Sequence, residues 1–175
     1  MPLGRTTHAS VGLVATATLC IASGSAATTL YVAPAGNDAS PGSQAAPLKT
    51  FQAAVGRAKA ADTIRLAPGT YDLAGFSATL PEALSIVGEA KDRPVLTNGE
   101  TLTVSGAFSA KDLKFTAFRR TVILLAVAEG ERIDGFAVDN CVFEKLHSAI
   151  ATPKGNQGVI TRVRITGCLD RKSVV

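Results

Sequence analysis

The 175-residue sequence predicts an all-β solenoid of stacked coils with one short capping helix at its N-terminal end. From Asp62 onward, short β-strand patterns alternate with Gly, Pro, Asn and Asp, and three segments are imperfect copies of one another. Ala, Val, Leu, Ile, Thr and Gly dominate, while Trp is absent. This composition suits an interior of stacked small and β-branched side chains.

The chain begins with a pattern typical of a secretory signal, which we assign to residues 1–26. Residues 11–22 form an apolar run that is short for a transmembrane helix, and residues 23–27 supply the small side chains that a signal peptidase needs. We therefore expect cleavage after Ala26 or Ala27. The mature protein is expected to be secreted, extracellular or periplasmic, without stable membrane insertion.

Residues 27–61 are expected to form a strand, a loop rich in Gly, Pro, Asn and Asp, and one amphipathic helix. Thr50 stands where a helix N-cap is needed. The first coil of a solenoid exposes an apolar cross-section, so we expect this helix to cover it. The apolar residues of the helix recur at spacings of three and four on one face; they are Phe51, Ala54, Val55 and Ala58.

Residues 62–169 are expected to form the coils. Aligning Leu113, Cys141 and Val163 gives repeat steps of 28 and 22 residues, a length that accommodates two or three short strands per coil. An antiparallel β-sandwich is the rival fold, since short strands separated by turns also permit it. The predicted strands lie at residues 63–66, 84–87, 102–104, 113–115, 122–127, 141–143 and 163–165.

Residues 31–71 carry a family resemblance. This stretch runs from a strand through the loop and helix to Ala-Pro-Gly-Thr-Tyr at residues 67–71. It resembles the N-terminal segment of secreted right-handed parallel β-helix proteins, the superfamily that includes pectate-lyase-like polysaccharide lyases. The resemblance implies that fold and a carbohydrate-facing protein. It is less specific for activity, because lyases, glycoside hydrolases, epimerases and surface proteins share the scaffold.

Lyase chemistry, which the resemblance implies, needs a group that neutralises a uronate carboxylate and a base that removes the neighbouring proton. Ca²⁺ held by carboxylate and amide oxygens can neutralise the carboxylate, and so can Arg or Lys. The available oxygen donors are Asp134, Asp139, Asn140 and Glu144. No lyase active-site motif matches, so catalytic and metal-binding residues stay unassigned, and any Ca²⁺ is expected in the full-length protein.

Four basic residues are the candidate substrate-binding set. Arg119 and Arg120 are adjacent, and paired guanidinium groups suit the carboxylates of a polyanion. Lys145 and His147 follow a predicted strand and add positive charge close by in sequence. A solvated turn is the alternative interpretation for the arginine pair, and a solvated loop histidine is the alternative for His147.

The leading functional expectation is the N-terminal part of a secreted enzyme that cleaves acidic (uronate) polysaccharide by β-elimination with Ca²⁺ assistance. One alternative is a non-catalytic extracellular glycan-binding or surface protein. Another is a glycoside hydrolase, which would need two carboxyl groups roughly 5–10 Å apart. The basic residues are scattered and the net charge is +4, so nucleic acid is not an expected partner. The full-length protein is expected to be a monomer.

Two further expectations concern the cysteines and the C-terminus. Cys141 and Cys168 lie in apolar strand-like runs, which favours buried free thiols over a disulfide. Residues 170–175, DRKSVV, are what a common short-read sequencing adapter encodes in one reading frame. We therefore expect that segment to be an artefact, the coils to be incomplete at the C-terminus and this fragment alone to be inactive.

Overall fold

In the computed structural model, which describes residues 26–154 and 158–171, the chain forms a right-handed parallel β-helix with a short helix near its N-terminus. The predicted fold class is confirmed. No helix in the described part is long and apolar enough to cross a membrane. The predicted signal lies almost entirely outside the described residues, as does Cys20.

Three parallel sheets run along the solenoid, and from the second strand onward successive strands lie in sheets A, B and C in turn. Sheet A contains β1 (Thr29–Val32), β2 (Thr63–Leu66), β5 (Leu84–Val87), β8 (Phe108–Lys111), β11 (Arg132–Asp139) and β14 (Val159–Thr166). Sheet B contains β3 (Thr70–Asp72), β6 (Val95–Thr97), β9 (Lys114–Thr116), β12 (Val142–Glu144) and β15 (Leu169–Arg171). Sheet C contains β4 (Ser77–Thr79), β7 (Thr101–Val104), β10 (Thr121–Leu125) and β13 (Ser148–Ala151).

The turn from sheet A to sheet B is set by residues that tolerate left-handed backbone. Asp112, Asn140 and Gly167 have φ values of 57°, 52° and 61° in successive coils. Asp, Asn and Gly reach this conformation at the lowest cost. The side-chain amide of Asn140 donates to Asp112 Oδ1 at 2.6 Å across 28 residues of sequence. Asn140 therefore acts in turn formation and stacking between coils.

The interior consists of side-chain columns that continue from coil to coil. In sheet A, Phe108 stacks on Phe136 with ring centroids 5.9 Å apart. In sheet B, Phe115 stacks on Phe143 at 5.3 Å. All four rings are almost completely buried. These offset-stacked pairs stabilise the fold beyond the burial of their area, by about 0.5–1.5 kcal/mol each.

The predicted alignment of Val163 with Cys141 is wrong. Val163 pairs with Phe136 in sheet A, whereas Leu169 pairs with Val142 in sheet B. Cys168 therefore stacks on Cys141, and the last repeat step is 27 residues instead of 22, matching the Asp134–Thr161 separation. The alternation of β14 is compatible with either sheet, so apolar pattern alone could not fix the register.

Helix α1 (Phe51–Arg57) covers the first coil as predicted. The Thr50 hydroxyl accepts a hydrogen bond from the Ala53 backbone N–H at 3.1 Å, which makes Thr50 the N-cap. Phe51 is fully buried and meets the ring of Phe76 edge-on at 6.3 Å. The helix packs against β1 and β2 and so covers the apolar cross-section of the first coil.

The last described coil is less buried than the others. Its apolar residues Val159, Val163, Ile165 and Leu169 are each about half exposed, at 51–55%. Strand β15 reaches two residues into the segment 170–175, and residues 172–175 lie outside the described part. The adapter origin of that segment stays a prediction.

The two cysteines of the coils are free thiols in the structure. Cys141 is fully buried and Cys168 is partly buried. Burial raises the pKa of the Cys141 thiol to about 12. A thiol held in its neutral form is a poor nucleophile, so Cys141 serves packing.

Candidate functional site

The turns from sheet B to sheet C carry all four candidate substrate-binding side chains. Arg119 and Arg120 lie between β9 and β10, and Lys145 and His147 lie between β12 and β13. Strands β9 and β12 are paired in parallel, as are β10 and β13, so the two turns are neighbours, about 4.8 Å apart along the solenoid. We name this surface, formed by Arg119, Arg120, Lys145 and His147, the basic edge.

The backbone explains why these side chains reach the surface. Asn98, Ala117 and Lys145 hold left-handed φ values of 60°, 54° and 52° just after the sheet B strands of successive coils. The Asn98 N–H donates to Thr116 O, and the Ala117 N–H donates to Glu144 O, both at 3.3 Å. This stacked bend turns the chain out of sheet B, and the residues after it project from the corner.

Both arginines share one carboxylate from the preceding coil. Glu100 lies 3.8 Å from Arg119 Nε and 3.5 Å from Arg120 Nε. The arginine side chains are 80% and 78% exposed, so these contacts are surface ion pairs, worth about 0–1 kcal/mol. A carboxylate of a ligand can replace Glu100 at small cost, and the planar guanidinium fork favours that exchange.

Lys145 adds a positive charge to this surface, and His147 lies beside it. Both side chains are exposed, and within the described residues neither makes a hydrogen bond or an ion pair. Beside them, Lys114 Nζ lies 2.8 Å from Glu144 Oε2, so the charge of Lys114 balances the Glu144 carboxylate. The edge therefore carries an excess of positive charge that is available to an anion.

The oxygen donors proposed from sequence do not come together. Asn140 bonds Asp112 at the turn between sheets A and B, and Glu144 pairs with Lys114 on sheet B. Asp134 and Asp139 lie on β11 in sheet A. Across residues 26–154 and 158–171, no group of three or more His, Cys, Asp or Glu side chains is placed to hold a metal ion.

The two sheet A carboxylates tie β11 to β14. Asp134 contacts the guanidinium of Arg162, and hydrogen bonding from that group holds the pKa of Asp134 below its usual value. Asp139 accepts a hydrogen bond from Thr166 and lies 2.6 Å from Arg164 Nη2; the Thr166 bond is the main cause of its lowered pKa. Both groups are ionised at neutral pH, which does not suit a general acid.

Sequence reasoning missed Glu100. It is an isolated acidic residue about twenty positions before the arginines. The strand register brings it to them, because β7 pairs with β10 and the turns before those strands lie side by side. To predict Glu100 beside the arginines, one would need the length of this coil, and apolar alternation does not give that length.

The fold defines the chain as a right-handed parallel β-helix protein, and the fold that the family resemblance implied is confirmed. Residues 34–171 match the model of the family described as "Protein of unknown function (DUF1565)", and the chain belongs to that family. No curated protein sequence matches it significantly.

Among solved structures, the chain is similar to the GH136 lacto-N-biosidase from Eubacterium ramulus. The TM-score is 0.64 at 12% identity for the selenomethionine derivative and 0.60 at 13% for the native protein. Each match covers 82% of this chain and 34% of the other, so this chain spans about a third of that protein. A rhamnogalacturonan lyase matches with a TM-score of 0.42 at 13% identity, covering 82% of this chain and 58% of the lyase. The similarity to the lacto-N-biosidase shows the fold alone.

Proposed function

We propose that this chain forms the N-terminal coils of a secreted β-helix protein that binds an acidic polysaccharide along the basic edge. The observation that supports the proposal is the placement of Arg119, Arg120, Lys145 and His147 in two neighbouring turns on one side of the solenoid. A polyuronate repeats its carboxylates along one direction, and coil stacking places cations in two adjacent turns along the solenoid axis. The two patterns are complementary when the polysaccharide runs along that axis.

The basic side chains of the edge are exposed to solvent, which limits how strongly each one binds a carboxylate. Each exposed ion pair contributes about 0–1 kcal/mol, so a single sugar is held weakly and several are needed for stable binding. Salt screens such pairs over about 10 Å at 0.1 M ionic strength. Retention of a polymer should therefore fall steeply as salt rises.

The reaction we propose for the whole protein is β-elimination of the uronate polysaccharide. The neutralising group lowers the energy of the carbanion that forms when the base removes the proton beside the carboxylate. Arg119 and Arg120 lie in high-dielectric surroundings because they are about 80% exposed, which weakens their effect on that carbanion. In this account the basic edge holds the polymer, while the base and the Ca²⁺-binding oxygens belong to other coils.

The same exposure favours a second candidate, a non-catalytic glycan-binding protein. An open edge is adequate for retention of a polymer, whereas electrostatic catalysis works best in a site shielded from water. A lacto-N-biosidase built on the same scaffold supports a carbohydrate-related role but does not choose between binding and cleavage. The formation of unsaturated ends separates the two candidates.

Retention on immobilised polygalacturonate tests the basic edge. Arg119→Ala/Arg120→Ala should elute at clearly lower salt than the unaltered protein. The control is Lys59→Ala/Arg132→Ala, which removes the same charge from two exposed residues away from the edge. Equal elution of the two double variants would show that net charge, and not this surface, causes retention.

A further inference from the structure

A cavity of about 240 Å³ lies beside the first two coils, on the sheet A side of the molecule. Tyr31 on β1 pairs in register with Arg65 on β2, and both side chains line the cavity. Gln44, from the loop that precedes α1, and Glu89, which follows β5, also line it. We name this cavity, lined by Tyr31, Gln44, Arg65 and Glu89, the N-terminal pocket.

The polar groups of the N-terminal pocket are not used by the fold. Among the described residues, the side chains of Tyr31, Gln44, Arg65 and Glu89 make no hydrogen bond or ion pair with the protein. Convergent polar side chains that line a concave surface are the usual features of a small-molecule site. By contrast, four arginines of the described part are bound to backbone or side-chain oxygens: Arg57, Arg93, Arg162 and Arg164.

The chemistry of the pocket fits one acidic sugar unit. The Arg65 guanidinium offers the planar fork that carboxylates prefer. Glu89 and Gln44 can accept hydrogen bonds from sugar hydroxyls, and the Tyr31 ring offers a flat apolar face to the C–H groups of a pyranose. The volume holds roughly eight waters at about 30 Å³ each, the size range of a monosaccharide.

A peptide is a poorer match, because the edge of β1 beside the pocket is already occupied. The Tyr31 N–H donates to Gly42 O at 2.7 Å, and the Leu48 N–H donates to Tyr31 O at 2.9 Å. An extended peptide would bind here mainly by adding a strand to this edge, and the edge has no free backbone groups at Tyr31 to pair with it.

We propose that the N-terminal pocket binds a single uronate unit, with Arg65 holding the carboxylate and Glu89 and Gln44 holding hydroxyls. The inference rests on the proposed function, from which it takes the substrate class. It adds a second contact on sheet A, separate from the basic edge between sheets B and C.

Tyrosine fluorescence gives a local readout. The chain has no Trp and two Tyr, and Tyr71 is buried, so Tyr31 is the residue that a ligand in the pocket can touch. Titration with D-galacturonate should change the emission saturably, and galactose, which lacks the carboxylate, should act more weakly. Arg65→Ala should raise the half-saturation concentration about tenfold or more, as expected for the loss of a charge-assisted hydrogen bond. Arg132→Ala, which also removes one exposed arginine, should titrate like the unaltered protein.

The outcomes separate this inference from the proposed function. The Arg119→Ala/Arg120→Ala variant should keep the galacturonate response while it loses polymer retention. Absence of a saturable response in the unaltered protein, or an equal response in Arg65→Ala, would overturn the pocket even if retention depends on the basic edge. A response lost in Arg65→Ala would support the pocket even if retention proved independent of the edge.

Discussion

Tyr71 allows a quantitative test of the packing between the first coil and β1. Its side chain is 4% exposed, and its hydroxyl lies 2.8 Å from Ala67 O and 3.1 Å from Val32 O. Burial raises the pKa of Tyr71 from 10.0 to about 12. The fold thus favours the neutral phenol. The stability that results is fully present below pH 10 and is lost as the pH rises from 10 to about 12.

The raised pKa of Tyr71 determines how much stability the protein loses at high pH. About two pKa units correspond to about 3 kcal/mol of unfolding free energy, lost by the unaltered protein over that pH range. Tyr71→Phe removes one hydrogen bond and should cost about 1 kcal/mol at neutral pH. Val32 O keeps a backbone partner in the variant, because it also accepts a hydrogen bond from the Ala67 N–H at 2.8 Å. Because the variant has no phenol to ionise, its stability should fall less above pH 10, and the two curves should cross.

Urea unfolding followed by circular dichroism from pH 7 to pH 12 measures both curves. Tyr31→Phe is the matched control, because Tyr31 is partly exposed and makes no side-chain hydrogen bond in the described part of the chain. The control should parallel the unaltered protein. If Tyr71→Phe also ran parallel to the unaltered protein up to pH 12, the phenol would not be buried as described.

Three further predictions concern packing and export. Phe51→Asp should uncover the first coil and cost about 3 kcal/mol or more, seen as a lower melting temperature and aggregation; unchanged melting of a soluble monomer would exclude the capping role. Gly88→Ala should destabilise strongly, because its Cβ would lie 2.2 Å from Asp112 O, whereas Gly56→Ala, with open space around it, should stabilise by about 0.5–1 kcal/mol. Exported protein should begin near Ala27, and N-terminal sequencing that found Met1 would contradict the assigned signal.

The coils could be predicted from sequence where apolar alternation is bounded by turn residues. Strands β2 and β5 coincide with the predicted ranges because each alternates over four residues between turn signals. Strands β3, β4 and β6 were not predicted. Each has three residues, too few to show a period, and they are strands because neighbouring coils pair with them.

Only part of the candidate site could be predicted from the sequence. Arg119 and Arg120 stand out as an adjacent basic pair, which sequence alone reveals. The union of Tyr31, Arg65 and Glu89 in one pocket depends on the register of β1 with β2 and on the position of the turn after β5. Coil lengths vary: 24 residues separate Ser85 from Ser109, whereas 28 separate Asp112 from Asn140. Sequence spacing therefore does not show which residues of different coils lie side by side.

We propose that the full-length protein acts on an acidic polysaccharide by β-elimination. The most direct measurement is the ultraviolet absorbance of unsaturated uronate ends when the full-length protein is incubated with pectate or alginate. We predict that absorbance rises with time, that a chelator of Ca²⁺ stops the rise, and that Arg119→Ala/Arg120→Ala slows it most at low salt, where screening is least. Retention of these polymers with no unsaturated ends would contradict the lyase and establish the glycan-binding alternative.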